Sequence, residues 1–396
     1  DALPISQIKR RLVLACANSD NPKIAPALIE IYDISQPEIR KLIIFALSQF
    51  DTKSTVAFLL ENLSSESDKI VKNQIVLSLG KIGKKEELNF IISQNERLNV
   101  SKTSLLRAIG YFFDQEIYNQ KAIDLCIKNL EASPDSLVLE SATALSRLEN
   151  FEILEKYTSK LLTAYNSNPN STKIKLIKII SKLEFPDKQS FFQSVINNSS
   201  KDVKIEALKN LSYIDQPYPI IKNILNTQYN NQVLVSLLKN IPADRMLLEK
   251  IKPELIAFTR GNYSQHIKGL AYQNLSILSP FKHQQYLAKS KFYLPYLIEG
   301  LSHSKNPAVL DELYKYSHYS EPKISTPAYQ NLLYLSQEFI QNDKLAKDSV
   351  LKYINFGLKS FDPIKIALAT QQVRYLEFSG NGIKDSIYDR IAFLIR

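Results

Sequence analysis

Residues 37–50 read PEIRKLIIFALSQF, and the spacing of their apolar residues decides the fold. Between Ile39 and Phe50, apolar side chains recur three and four residues apart, which places them on one face of an α-helix. Pro37 stands where this helix would begin. Proline lacks a backbone N–H and is tolerated there, because the N–H groups of the first turn have no partner within the helix. The segment therefore predicts an amphipathic helix that buries one face.

The same apolar face recurs along the chain at intervals of roughly 33 residues, within the range typical of helical repeats. The position of Leu47 is occupied in turn by Leu79, Ile109, Leu145, Ile180, Leu211, Leu238 and Leu275. Polar segments rich in Asn, Ser and Asp separate these helices from partner helices, which we predict at residues 22–32, 55–63, 116–130, 151–165 and 187–196. This pattern predicts an all-α fold, an α-solenoid of stacked helix pairs.

The chain has no linker and no shift in composition, so we expect a single domain over residues 7–396. Its period is clear over residues 7–280 and irregular over residues 281–396, where further helices are predicted at residues 292–301, 308–316, 325–340, 345–358, 363–376 and 383–395. Residues 1–6 start without methionine and match the translation of a common sequencing-adapter end. We expect them to be non-native, and the compartment is therefore not predicted from this end of the chain.

The composition excludes several classes of protein. The 396 residues include only 9 Gly and 17 Pro, which argues against all-β folds and against nucleotide-binding folds with Gly-rich loops. Two cysteines are too few for a disulfide framework, and we interpret Cys16 as a buried helix residue. We also expect no membrane span. The net charge is +10, and most of the basic residues are lysines. This charge is compatible with an anionic partner but does not identify one.

The residue patterns of common catalytic and metal sites are missing. The four histidines, His266, His283, His303 and His318, are not spaced as zinc ligands. Gly80-x-x-Gly83 and Gly380-x-Gly382 lack the residues of a phosphate-binding loop, and Gly83 and Gly380 are better interpreted as helix C-caps. We therefore expect no catalytic residue, no cofactor, no metal and no enzymatic activity in this chain.

The repeated helix resembles the second helix of HEAT repeats. In that family this helix opens with an acidic residue, an apolar residue and Arg, and it ends in Ala-Leu; here Glu38-Ile39-Arg40 and Ala46-Leu47 match. The resemblance covers most of residues 7–280 and, more loosely, the rest. It implies a right-handed, armadillo-like α-solenoid of about 10–11 helix pairs.

Two features are candidates for function. The Arg40 position is basic in several repeats, and we call these residues the basic ladder: Arg40, Lys72, Lys102, Lys173, Lys204 and Lys268. We favour a structural role for the ladder, in which each cation pairs with acidic groups or helix-end carbonyls of adjacent repeats; the alternative is a binding stripe. Tyrosines also crowd the C-terminal third, and ordinary packing or partner binding would each account for them: Tyr293, Tyr296, Tyr314, Tyr316 and Tyr319.

A narrower resemblance concerns the HEAT region that precedes the catalytic domain of bacterial cyclophilin-type peptidyl-prolyl isomerases. It is carried by QIKRRLVLA at 7–15, LLRAIGYFF at 105–113, SLVLESATALSRLEN at 136–150 and DPIKIALATQQV at 362–373. It implies that this chain is the substrate-presenting arm of an isomerase in the bacterial envelope or periplasm. Without that resemblance, we expect a cytoplasmic protein.

These observations predict a non-catalytic scaffold that binds a protein or an extended peptide and is itself monomeric. The alternative is a basic HEAT-like nucleic-acid-binding protein or a relative of HEAT-like DNA glycosylases. The absence of Trp argues against the glycosylase. The identity of the partner and the presence of a catalytic domain after Arg396 stay open.

Overall fold

The computed structural model describes residues 5–376, except 20, 22, 132–133, 228–229 and 279–289. These residues form α-helices and short 3-10 helices and include no strand, as predicted for an α-solenoid of HEAT-like repeats. The fold falls into two compact units, residues 1–214 and 215–396. The single domain expected from sequence remains a prediction.

In the first unit, first and second helices alternate along the chain. The first helices are Ile24–Glu30, Lys53–Ser65, Lys85–Gln94, Gln120–Asn129, Thr158–Ser167 and Lys188–Asn198. The second helices are Pro37–Leu47, Lys69–Ile82, Lys102–Phe113, Asp135–Leu145, Asn170–Ile180 and Lys201–Lys209. Each second helix packs against the next one, and Ile5–Cys16 packs against the first of them. The second helices thus form a continuous row.

Polar residues at the predicted turns cap several of these helices. The side chain of Thr52 accepts a hydrogen bond from the backbone N–H of Thr55, and Asp68 accepts from those of Ile70 and Val71. Such bonds satisfy N–H groups that have no partner within the first turn. Gly83 is a C-cap, as predicted.

The helical register predicted from the sequence is confirmed by burial. At most 4 % of each of the predicted core leucines is exposed: Leu47, Leu79, Leu145, Leu211 and Leu275. Removing their apolar surface from water contributes the main stabilisation of each repeat.

Small residues allow the second helices to approach one another closely. A Cβ atom on Gly80 would lie 2.7 Å from the carbonyl oxygen of Ala108, and one on Gly110 would lie 3.1 Å from Cα of Ala144. Gly80 therefore allows the helices Lys69–Ile82 and Lys102–Phe113 to pack closely.

The second unit continues the helical pattern with less regular elements. Its α-helices are Tyr218–Asn226, Asn231–Asn240, Arg245–Arg260, Gln265–Leu278, Leu294–Leu301, Val309–Ser317, Pro322–Gln341, Leu351–Leu358 and Pro363–Leu376. Asn274 ties neighbouring helices together, because its side-chain amide donates to the carbonyl oxygen of Leu238 at 2.8 Å. A core of Leu, Ile and Tyr side chains, among them Leu297 and Tyr329, fills this unit.

Some local predictions were wrong. Cys16 ends the first described helix but is only half-buried. Residues 151–165 begin as the 3-10 helix Glu152–Tyr157, and residues 345–358 contain the 3-10 helix Lys347–Val350. The helix predicted from residue 116 begins at Gln120, where Asn119 caps it.

Other predictions lie outside the described residues. They concern most of residues 1–6, the helix at 383–395, His283, Gly380 and Gly382. Within the described part of the chain, no helix is both long enough and apolar enough to cross a membrane.

Candidate functional site

Arg40 lies at the centre of a buried polar cluster that joins two repeats. Its Nε and Nη2 atoms donate to the two carboxylate oxygens of Glu66, each at 2.9 Å, and its Nη1 donates to the carbonyl oxygen of Ser35. The hydroxyl of Tyr32 donates to the same carboxylate at 2.7 Å. Only 4 % of the Glu66 side chain and 18 % of the Arg40 side chain are exposed, so Arg40 is engaged by a partner within the protein.

The same arrangement recurs four repeats later with weaker groups. Tyr165 precedes Lys173 by the spacing that separates Tyr32 from Arg40, and the Lys173 Nζ atom lies 5.3 Å from the centroid of the Tyr165 ring. The Tyr165 hydroxyl lies 2.9 Å from Ser199 Oγ, at the end of the following first helix. Ser199 therefore takes the place that Glu66 has in the first cluster.

The rest of the basic ladder has varied surroundings. The Lys204 Nζ atom donates to the backbone carbonyl of Asn197 at 3.2 Å. Lys72 and Lys268 are half-buried, whereas Lys102 is exposed as the first residue of its helix. The ladder thus includes cations with protein partners and cations at the surface, and its overall role remains a prediction.

The five candidate tyrosines lie at or near the core of the second unit. Tyr293 and Tyr316 are buried, and the hydroxyl of Tyr296 lies 2.8 Å from Nδ1 of His266. The half-buried ring of Tyr314 packs against Tyr353, Phe356 and His318, while Tyr319 is the most exposed of the five. A partner-binding role for them remains a prediction.

A different set of side chains forms a surface feature at the C-terminal ends of the second helices. These positions follow the Leu47 series by two residues, and in five successive repeats they carry Lys81, Tyr111, Arg147, Lys182 and Tyr213. With Phe45, from the preceding second helix, we call them the aromatic–basic stripe. The same repeat alignment that located the basic ladder would have found the stripe from sequence.

Within the stripe, cations lie over aromatic rings of neighbouring repeats. The Lys81 Nζ atom is 5.3 Å from the centroid of Phe45 and 5.7 Å from that of Tyr111. The guanidinium carbon of Arg147 lies 4.8 Å from the centroid of the same Tyr111 ring. Lys182 lies 5.4 Å from the Tyr213 centroid. Such contacts hold the long side chains in place and leave their charges available to a ligand.

Arg147 and Lys182 also line a cavity of about 440 Å³, together with Lys178, Ser146, Leu148, Asp114 and Glu149. Burial lowers the pKa of Lys178, and the nearby charges of Lys182 and Lys175 lower it further. Among the described residues, the side chain of Arg147 has no hydrogen-bond partner, and its Nη1 atom is buried without one. This cavity therefore gathers three cations, Arg147, Lys178 and Lys182, none of which forms an ion pair with a described residue.

A larger cavity, of about 1200 Å³, lies in the second unit. Its walls carry both signs of charge, with Arg245 and Lys305 beside Asp244 and Glu338. Asp244 is already used as a helix cap. In the described ranges, no group of three or more His, Cys, Asp or Glu side chains is placed to hold a metal ion.

Comparison with known proteins agrees with this architecture. Residues 4–90 match the family model for HEAT repeats. This match and the succession of packed helices fit the HEAT-repeat family of α-solenoid proteins. No curated protein sequence matches the chain. The narrower resemblance to the HEAT region of cyclophilin-type isomerases has no support in these comparisons.

Proposed function

We propose that this protein is a non-catalytic scaffold that binds an extended, acidic segment of a partner protein along the aromatic–basic stripe. HEAT repeats commonly act as protein-interaction scaffolds, and stacked repeats offer long surfaces for extended ligands. The observation that carries the proposal is the recurrence of cations and aromatic rings at one position of five successive repeats.

The charges around the stripe favour a peptide over a nucleic acid. Asp114 and Glu149 line the cavity beside Arg147 and Lys182. These carboxylates would repel the closely spaced phosphates of a nucleic acid, whereas a peptide can place its acidic side chains between them. Nucleic-acid bases also need free ring faces to stack on, and the Tyr111 ring already has two cations near it, Lys81 and Arg147.

The test compares two double variants that remove the same charge. Lys81→Gln with Lys182→Gln changes the stripe, and Lys85→Gln with Lys128→Gln changes exposed lysines on first helices of the same unit. The probe is a synthetic peptide of alternating Ser and Glu, measured by fluorescence anisotropy beside its Gln counterpart. We expect the stripe variant to lose about tenfold in affinity and the control variant to bind like the wild type.

Two results would overturn the proposal. One is equal binding of the Glu peptide to the wild type and to the stripe variant. The other is tighter binding of a single-stranded oligonucleotide than of the peptide, abolished in the stripe variant. That second result would establish the nucleic-acid alternative instead.

A further inference from the structure

The cavity beside Arg147 has the composition of a site for one anionic group. Three cations from two successive repeats line it: Arg147 follows the helix Asp135–Leu145, Lys178 lies in the helix Asn170–Ile180, and Lys182 follows that helix. Ion pairs with protein carboxylates hold Arg40 and Arg107, the arginines of other second helices. No such pair is present at Arg147 in the described part of the chain.

The guanidinium of Arg147 is positioned before any ligand binds. Its contact with the Tyr111 ring, at 4.8 Å from the ring centroid, restricts the side chain and lowers the entropic cost of binding. Its planar set of N–H groups matches the oxygens of a carboxylate or a phosphate, and an ammonium group adds charge without that geometry. Lys178 and Lys182 supply two such ammonium groups beside it.

We infer that this cavity binds one oxyanion, a carboxylate or a phosphate monoester, carried by the bound peptide. This inference rests on the proposed function, because the peptide supplies the anion. Asp114 and Glu149 limit the site to a single anionic group, since a second one would lie beside these carboxylates. The neighbouring Glu149 carboxyl raises the pKa of Glu116.

The first experiment uses inorganic phosphate as the probe, with chloride at matched ionic strength as the reference. The variant is Arg147→Gln, and Arg97→Gln, an exposed arginine of the same unit, is the matched control. We expect phosphate to raise the Tm of the wild type and of the control, and titration calorimetry to show a loss of at least tenfold in phosphate affinity for Arg147→Gln. Circular dichroism and the Tm in chloride check that the variant is folded.

Two outcomes would overturn the oxyanion site. In the first, phosphate stabilises the wild type no more than chloride does. In the second, folded Arg147→Gln shows the same rise in Tm as the wild type. Phosphate would then stabilise the protein by general charge screening, and not by binding at Arg147.

A second experiment identifies the source of the anion and separates this inference from the proposed function. The alternating Ser and Glu peptide is compared with a form that carries one phosphoserine. If Arg147→Gln weakens only the phosphorylated peptide, the site binds phosphate; if it weakens both forms equally, the site binds a carboxylate. If peptide binding depends on Lys81 and not on Arg147, the oxyanion site is wrong and the scaffold function stands. If phosphate binds at Arg147 and no peptide binds, the scaffold function is wrong and the oxyanion site stands.

Discussion

Arg40 donates hydrogen bonds from two guanidinium nitrogens to both carboxylate oxygens of Glu66, which belongs to the next repeat. Glu66 also accepts from the backbone N–H of Asp68 and from the hydroxyl of Tyr32. One carboxylate thus connects a first helix, a second helix and the following turn. Bidentate pairs of this kind fix both distance and orientation, so the cluster sets how two repeats stack.

We expect Glu66→Gln to lower the free energy of unfolding by about 3 kcal/mol at pH 7, because it leaves the half-buried Arg40 charge without its partner. Burial of Glu66 by itself opposes ionisation, but the hydrogen bonds from Arg40, Asp68 and Tyr32 outweigh it and lower the pKa of Glu66 from 4.5 to about 2. Below pH 4.5 the unfolded chain takes up a proton that the folded protein does not, so this stabilisation disappears as the pH falls towards 2.

Urea denaturation at several pH values measures this effect, with Glu61→Gln as an exposed control on the same helix. The difference between the wild type and Glu66→Gln should shrink between about pH 5 and about pH 2. A difference that stays constant over this range would show that the ionised form of Glu66 is not the stabilising one.

Leu211→Ala should lower the free energy of unfolding by about 2–5 kcal/mol, because the variant buries less apolar surface and leaves a cavity. Leu211 is 1 % exposed at the position of the Leu47 series. Leu12→Ala, at a leucine that is 60 % exposed, is the control and should change little. Thermal unfolding followed by circular dichroism compares the two, and equal effects would contradict the register assigned to this repeat.

Gly80→Ala should destabilise the protein by about 1–3 kcal/mol, although Ala is the better helix former by about 1 kcal/mol. The added Cβ would meet the Ala108 backbone at 2.7 Å and force two second helices apart. Gly110→Ala meets its nearest atom, Cα of Ala144, at 3.1 Å and should be milder. Denaturant midpoints of the two variants test the order, and a more stable Gly80→Ala would contradict close packing at this position.

Replacing Lys72, Lys204 and Lys268 together by Gln should lower the unfolding midpoint modestly, because the variant loses the hydrogen bond from Lys204 to the carbonyl oxygen of Asn197, and one such bond contributes about 1 kcal/mol. We expect the weak, non-specific affinity for DNA and RNA to change little. Thermal unfolding and filter binding at several salt concentrations measure both properties on one variant. The basic ladder would instead be a binding surface if stability stayed unchanged while nucleic-acid affinity fell strongly. The salt slope would then decrease by about 0.9 for each phosphate that the variant no longer neutralises.

The sequence by itself determined the helices and their buried faces, because helical periodicity is a local property of the chain. The spacing from Ile39 to Phe50 defines one face, and the same spacing placed Leu79, Leu145 and Leu275 in the core. The second helix Pro37–Leu47 begins at the proline that predicted its start. The 3-10 helices Glu152–Tyr157 and Lys347–Val350 were predicted as parts of α-helices, because over a few residues the two kinds of helix have the same hydrophobic pattern.

Only the tertiary structure decided which charged groups meet. Arg40 and Lys72 are equivalent in the repeat, yet Arg40 is paired with Glu66, whereas Lys72 forms no ion pair with any described residue. Lys102 occupies the equivalent position of the next repeat. It is the first residue of its helix, which begins directly after the cap residue Ser101. Contacts between repeats depend on where each helix begins and on which side chains its neighbour presents. The contact between Arg147 and Tyr111 joins two repeats, so the sequence of either repeat alone does not predict it.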